Sequence, residues 1–144
     1  MSDWAIGAGF IRTLVWDTIS HKKSTPLDDV DVLLFDPSDL SKTAEQKFER
    51  QLIKMRSDIP WSVKNQARMH IRNETKAALN TKDAMRYWLE TPTAVAARID
   101  TKDQITILAP FGLDDLFKMV IRPTPVAHTK MEQIAARLAL KDWR

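Results

Sequence analysis

Residues 27–36 read Leu-Asp-Asp-Val-Asp-Val-Leu-Leu-Phe-Asp. From Val30 to Phe35 the run is short, mostly apolar and closed by Pro37-Ser38-Asp39, which predicts a buried strand. Its head carries three carboxylates, Asp28, Asp29 and Asp31. On a strand, residues two apart point to the same side, with Cα atoms roughly 6.6 Å apart at a rise of about 3.3 Å per residue. Asp29 and Asp31 therefore face one way, and such a pair repels unless a cation lies between the two groups. The plainer alternative is a solvated loop running into a strand, and the segment upstream weighs against it.

Upstream, Gly7-Ala8-Gly9 precedes Phe10–Ile19, where Ile11, Leu14, Val15 and Thr18 fall at helical spacing. A helix that starts after two glycines offers free backbone N–H groups and a partial positive charge, and glycine lets an anion come close. Arg12 lies one turn further on. Alone, Gly-x-Gly reads equally as a tight turn with helix packing. An anion cradle followed roughly 20 residues later by an Asp-x-Asp strand is more specific. One part would hold the polyphosphate of an NTP, and the other the ion that bridges it. Oxygen is the only ligand type the pair offers, so Mg²⁺ suits it best, with Mn²⁺ as the substitute.

Downstream, Thr43 and Gln46 form a capping-box pattern ahead of a helix burying Phe48, Leu52 and Met55. Pro60 stops that helix, and residues 61–70 alternate as a strand, with Trp61, Val63 and Asn65 on one face and Lys64, Arg68 and His70 on the other. Residues 83–89 predict a short helix burying Ala84, Met85, Trp88 and Leu89. Residues 94–99 and 104–108 flank Asp100–Asp103 as a β-hairpin. Helices follow from Gly112 and from Thr129, the latter with Glu132 in a second capping box. The order α, β, α, β, α, β, β, α, α predicts an α/β (α+β) domain: a mixed β-sheet flanked by helices.

At 144 residues, 44% of them hydrophobic, the chain can bury a proper core. It has no cysteine, which excludes disulfides and thiolate metal sites and fits a reducing, cytoplasmic setting. No apolar run approaches the ~20 residues of a membrane span. The N-terminal MSDWAIGAGF lacks the basic and apolar regions of a secretory signal. The net charge of +3 is spread among interspersed acids. That dilution allows an anionic ligand and argues against nucleic acid as a partner.

The glycine turn and the Asp29-Val30-Asp31-Val32 pattern resemble the DNA polymerase beta-like nucleotidyltransferase superfamily. The segments DWAIGAGFIRTLVWD (3–17), DDVDVLLFD (28–36), VKNQARMH (63–70) and APFGLDDLF (109–117) are similar to one small bacterial nucleotidyltransferase-like family within it. The resemblance implies a single nucleotidyltransferase-like domain over 1–144, shortened at its N-terminus. It implies catalytic and metal-binding roles for Asp29 and Asp31, and cofactor-binding roles for Gly7, Ala8, Gly9 and Arg12. It also implies a third acid on a neighbouring strand, where this chain offers Asn65; Asn65 can ligate a metal but cannot take a proton. Glu90, Asp100 and Asp114 are the substitutes, and the sequence does not choose among them. Arg68 could fork onto phosphate oxygens and His70 could move a proton; each reads equally as a surface or strand-end residue.

The reading is a metal-dependent nucleotidyltransferase that moves a nucleoside monophosphate from an NTP to an acceptor of unknown class (small molecule, protein or RNA) and releases pyrophosphate. The alternative is a nucleotide- or partner-binding module without catalysis, motivated by Asn65.

Overall fold

A computed structural model describes residues 3–140. Five strands form one mixed sheet: β1 (Trp4–Gly7), β2 (Val30–Leu34), β3 (Trp61–Asn65), β4 (Ala96–Ile99) and β5 (Ile105–Leu108). Their order is β3-β2-β1-β4-β5, with β2 and β3 parallel and every other pair antiparallel. The six α-helices among the described residues are α1 (Gly9–Ile19), α2 (Lys42–Met55), α3 (Met69–Asn73), α4 (Thr81–Ala84), α5 (Asp114–Phe117) and α6 (Met131–Leu140). The expected mixed sheet with helices is what the chain forms.

The middle strand, β1, is the one that the sequence pattern did not predict. It is four residues long, and its buried positions are the small Ala5 and Gly7, so it carries none of the bulky β-branched enrichment that marks a strand. Small residues are needed there because the neighbouring strands close in. A Cβ on Gly7 would lie 2.8 Å from the Cβ of Ala96 and 3.1 Å from the carbonyl oxygen of Val95. Ala5, Leu33, Met85, Ala96 and Leu108 form a buried cluster with Trp88 packed against it. A second cluster joins α1 to α5 through Trp16, Val95 and Leu116, and the Trp16 indole N–H donates to the Leu116 carbonyl at 2.8 Å.

Four local expectations are corrected. The strand predicted over 61–70 ends at Asn65; residues 66–68 form a 3₁₀ turn and Met69–Asn73 a helix. The cause is Asn65, whose side-chain oxygen accepts from the Ala67 N–H at 3.1 Å and caps the turn. The cap of α2 is Ser41, which accepts from the Ala44 N–H at 3.2 Å, rather than Thr43. The buried face of α2 is centred on Glu45, with Phe48 and Leu52 half-buried, while Met55 is 77% exposed. On α1 the inward residues are Arg12, Trp16 and Asp17, with Leu14 exposed. The hairpin at 100–103 forms as expected: the Asp100 carboxylate accepts from the N–H groups of Lys102 and Gln104 at 2.8 and 3.0 Å. The expected cap at Thr129 involves a side chain outside those described.

β3 is an edge strand, yet its outward N–H groups are not left open. Val63 N–H donates to Glu49 at 3.0 Å and Asn65 N–H to Glu45 at 2.7 Å, both acids reaching from successive turns of α2. This closes one edge of the sheet, as edge strands require.

Candidate active site

The register decides what lies beside the acid pair. Asp31 is opposite Gly7 on β1 and opposite Ser62 on β3. Because β1 ends at Gly7 and α1 begins at Gly9, the start of that helix is brought next to the acidic head of β2. A cleft of about 900 Å³ opens there, and Asp29, Asp31, Ala8, Gly9 and Arg12 all line it. Asp29 is exposed and Asp31 half-buried.

The two glycines and Ala8 differ in what they do. Gly7 does not line the cleft; the close approach of Ala96 and Leu33 accounts for it. At Gly9 a Cβ would meet only the guanidinium of Arg12, at 3.6 Å, so its missing side chain leaves the helix start accessible. Ala8 turns the chain with φ 57 and ψ −132, a backbone conformation that strains an L-residue and recurs at ligand-binding turns. No side chain caps α1, so its first-turn N–H groups are offered to the cleft. Arg12 is 7% exposed, donates to the Thr93 hydroxyl at 2.9 Å and stacks 5.5 Å from the centre of the Trp16 ring.

The structure places three sequence candidates elsewhere. Asn65 pairs with Leu34, at the far end of β2 from Asp29, and is fully buried. Its amide donates to the carbonyls of Asp36 and Asp39 at 2.8 and 2.9 Å and accepts from the N–H groups of Asp36 and Ala67. Its hydrogen-bonding capacity is spent in full, three bonds holding the loop between β2 and α2 and the fourth capping the turn after β3. Arg68 lies in the 3₁₀ turn and forks onto Glu45 at 2.7 and 2.8 Å. Burial pushes the Glu45 carboxyl up, but the hydrogen bonds and charge of Arg68, with the Asn65 N–H, bring it net below its ordinary value. His70 sits on α3, outside the lining of the cleft, with a buried Nδ1.

One of the three acids that the sequence offered, and several residues that its pattern missed, fill these places. Of Glu90, Asp100 and Asp114, only Glu90 lines the cleft, and it is 1% exposed. Thr93 joins it from the segment leading into β4. The cleft is also lined by the cations Lys64, Arg72 and Lys130, and by Tyr87 and Trp88. Lys64 could have been found: it alternates onto the same face of β3 as Ser62, the partner of Asp31. Arg72 and Lys130 arrive through helices whose placement no local pattern gives.

The donor set bears on which metal could sit here. Among the described residues, no group of three or more His, Cys, Asp or Glu side chains comes together to hold an ion. Of the four carboxylates lining the cleft, Asp28, Asp29, Asp31 and Glu90, only the pair Asp29 and Asp31 lies two residues apart at the head of one strand. That fits a cation of the Mg²⁺ type, which keeps water and substrate phosphate oxygens in its shell instead of an all-protein cage.

The chain matches, over residues 1–144, the family described as nucleotidyltransferase. The protein belongs to this nucleotidyltransferase family. Among solved structures, the nucleotidyltransferase is similar to a protein whose NMR structure "reveals a CCA-adding enzyme head domain". The two share 30% identity at a TM-score of 0.86, over 99% of this chain and 77% of the other. It is also similar to the apo form of a tRNA-processing enzyme, at 20% identity and a TM-score of 0.60. That likeness concerns the fold alone and covers 93% of this chain and 37% of the other. No curated protein matches it. The family membership inferred from DWAIGAGFIRTLVWD and DDVDVLLFD is thus borne out. Among the described residues, no helix is long and apolar enough to cross a membrane.

Proposed function

We propose that this nucleotidyltransferase moves a nucleoside monophosphate from an NTP to an acceptor bound in the same cleft, with Asp29 and Asp31 holding Mg²⁺ or Mn²⁺. The observation that carries the reading is the convergence of Asp29, Asp31, Ala8, Gly9 and Arg12 on one cleft. When bound, the ion would offset charge on the polyphosphate and draw electron density from the α-phosphorus.

The chain's own residues supply placement and charge. The first-turn N–H groups of α1 bind phosphate oxygens, and the Arg12 charge, fixed by Thr93 and Trp16, adds to the helix dipole. The acceptor oxygen or nitrogen attacks the α-phosphorus, the bond to the bridging oxygen of the β-phosphate breaks, and pyrophosphate leaves. The acceptor's proton passes to the Glu90 carboxylate. Asn65 carries no argument for a non-catalytic module, because its side chain is committed to the β2–α2 loop.

RNA is the acceptor class that the likeness to a CCA-adding enzyme head domain supports. The net charge of +3 is dilute over the chain, but Lys64, Arg72 and Lys130 gather at the cleft. The test is pyrophosphate release with Mg²⁺ and each NTP, with and without a short RNA, for wild type and Asp29→Asn. Asp29 is exposed, so its replacement changes stability by no more than about 0.5 kcal/mol. Release is expected to fall about a hundredfold or more, the equivalent of ~2.7 kcal/mol in the barrier. Equal rates in the two proteins would refute the mechanism.

A further inference from the structure

The two acids are not held alike. Asp31 lies inside β2 and is fixed by Gly7 on one side and Ser62 on the other. Asp29 precedes the first residue of β2, Val30, whose N–H donates to the Pro60 carbonyl at 2.8 Å. That bond fixes the chain on one side of Asp29 only. The fixed point on the other side is Thr25, four residues earlier. Its backbone N–H donates to one oxygen of the Asp17 carboxylate at 2.6 Å and its hydroxyl to the other at 2.9 Å. Asp17 stands near the end of α1, is 7% exposed, and also accepts from the Lys22 N–H through its carbonyl at 3.0 Å. Thr25, Pro26 and Leu27 then run along the cleft to Asp28 and Asp29.

We infer that Asp17 is a positioning residue for the acid pair. Resting on the proposed metal-binding role of Asp29 and Asp31, the inference is that the Asp17–Thr25 clamp holds Asp29 where it can share a cation with Asp31. The physical reason is the two-point grip. A carboxylate that accepts both from a backbone N–H and from the hydroxyl of one residue fixes the position and the rotation of that residue. Pro26 then stiffens the next link by locking its φ. Groups that orient metal ligands typically change affinity 10- to 100-fold when removed, although they do not touch the ion. α1 thereby contributes to the site at both ends: its first turn faces the phosphates, and its last turn secures the segment that brings the acid.

The test compares full-length wild type with Asp17→Asn, Thr25→Val, Thr25→Ser and Asp29→Asn. The first readout is the affinity for Mn²⁺ alone, from the electron paramagnetic resonance of the free ion. The second is amide hydrogen exchange over residues 21–29, which needs no metal. Asp17→Asn removes the charge that strengthens both bonds and keeps one acceptor oxygen of the two, and Thr25→Val removes the hydroxyl with its shape kept. Both are expected to weaken Mn²⁺ binding about tenfold and to speed exchange over 21–29, with exchange in α2 unchanged. Thr25→Ser keeps the hydroxyl and is expected to stay within about twofold of wild type, which a role in packing alone would not give. Should Asp17→Asn fail to fold, Thr25→Val and Thr25→Ser decide by themselves. Folded variants at both positions with wild-type Mn²⁺ affinity and wild-type exchange would overturn the inference. If wild type and Asp29→Asn take up Mn²⁺ equally, the metal-binding reading fails, and this inference falls with it even where exchange shows that the clamp holds the segment.

Discussion

One methyl group added at Gly7 would sit 2.8 Å from the Cβ of Ala96 and 3.2 Å from a methyl of Leu33, in the middle of the sheet. Overpacking of that kind costs about 1–3 kcal/mol. The same methyl at Gly9 meets only the guanidinium of Arg12, at 3.6 Å, an ordinary contact distance. Gly7→Ala is therefore expected to lower the urea midpoint strongly. Gly9→Ala should leave it unchanged or slightly raised, while weakening NTP binding roughly tenfold, or ~1.4 kcal/mol. Denaturation curves and calorimetry on the two variants check the pair of outcomes; equal losses of stability would mean that both glycines are packing residues. The sequence could not separate them. Gly-Ala-Gly reads as a phosphate turn or a tight turn alike, and the atoms that decide for Gly7 belong to a strand 89 positions away, at Ala96. Asn65 shows the same limit: alternation placed it on a strand, but its four bonds are made to loops whose path no local pattern shows.

The join between α2 and β3 is where an ion pair matters to the fold. Glu45 accepts the Asn65 N–H and the Arg68 fork together, and the pair is 5% and 13% exposed on its two sides. Replacing Glu45 by Gln keeps an acceptor for the strand but leaves the Arg68 charge without its counter-ion, which costs about 3–5 kcal/mol in buried pairs. The folded-state pKa of Glu45 lies below its ordinary value of 4.5. Its contribution is thus full above the unfolded pKa and is lost as the pH falls through the folded one. The stability of Glu45→Gln is expected to vary less with pH than that of wild type below about pH 5, checked by urea denaturation across pH 3–7. Parallel curves would contradict the assignment. Among the elements, β2, β4, β5, α1 and α2 were readable because each has enough length or a clear period. β1 was not, since a central strand of four residues with alanine and glycine inside leaves no hydrophobic signature. The break after Asn65 was missed because a side-chain cap overrode the alternation.

For the molecule entire, the mixed sheet brings together parts distant in the chain: the α1 start, the head of β2, Glu90 and Thr93 before β4, and Lys64 on β3. The acid pair and the glycine turn were visible in the sequence because both are local and spaced along consecutive elements. Glu90 was visible only as one of three acids, beside Asp100 and Asp114, and the cations Lys64, Arg72 and Lys130 were not visible as a group, since only the packing of the whole chain puts them around the same opening. What the proposed function requires is that Asp29 and Asp31 work as one unit. Titration calorimetry of a non-hydrolysable NTP analogue, with and without Mg²⁺, on wild type, Asp29→Asn, Asp31→Asn and the double variant examines this without knowledge of the acceptor. Each single change should abolish the Mg²⁺-dependent part of the affinity, and the double change should add nothing, as expected for groups that share one ion. Affinity that is indifferent to Mg²⁺ in the wild type, or unchanged in both single variants, would contradict it.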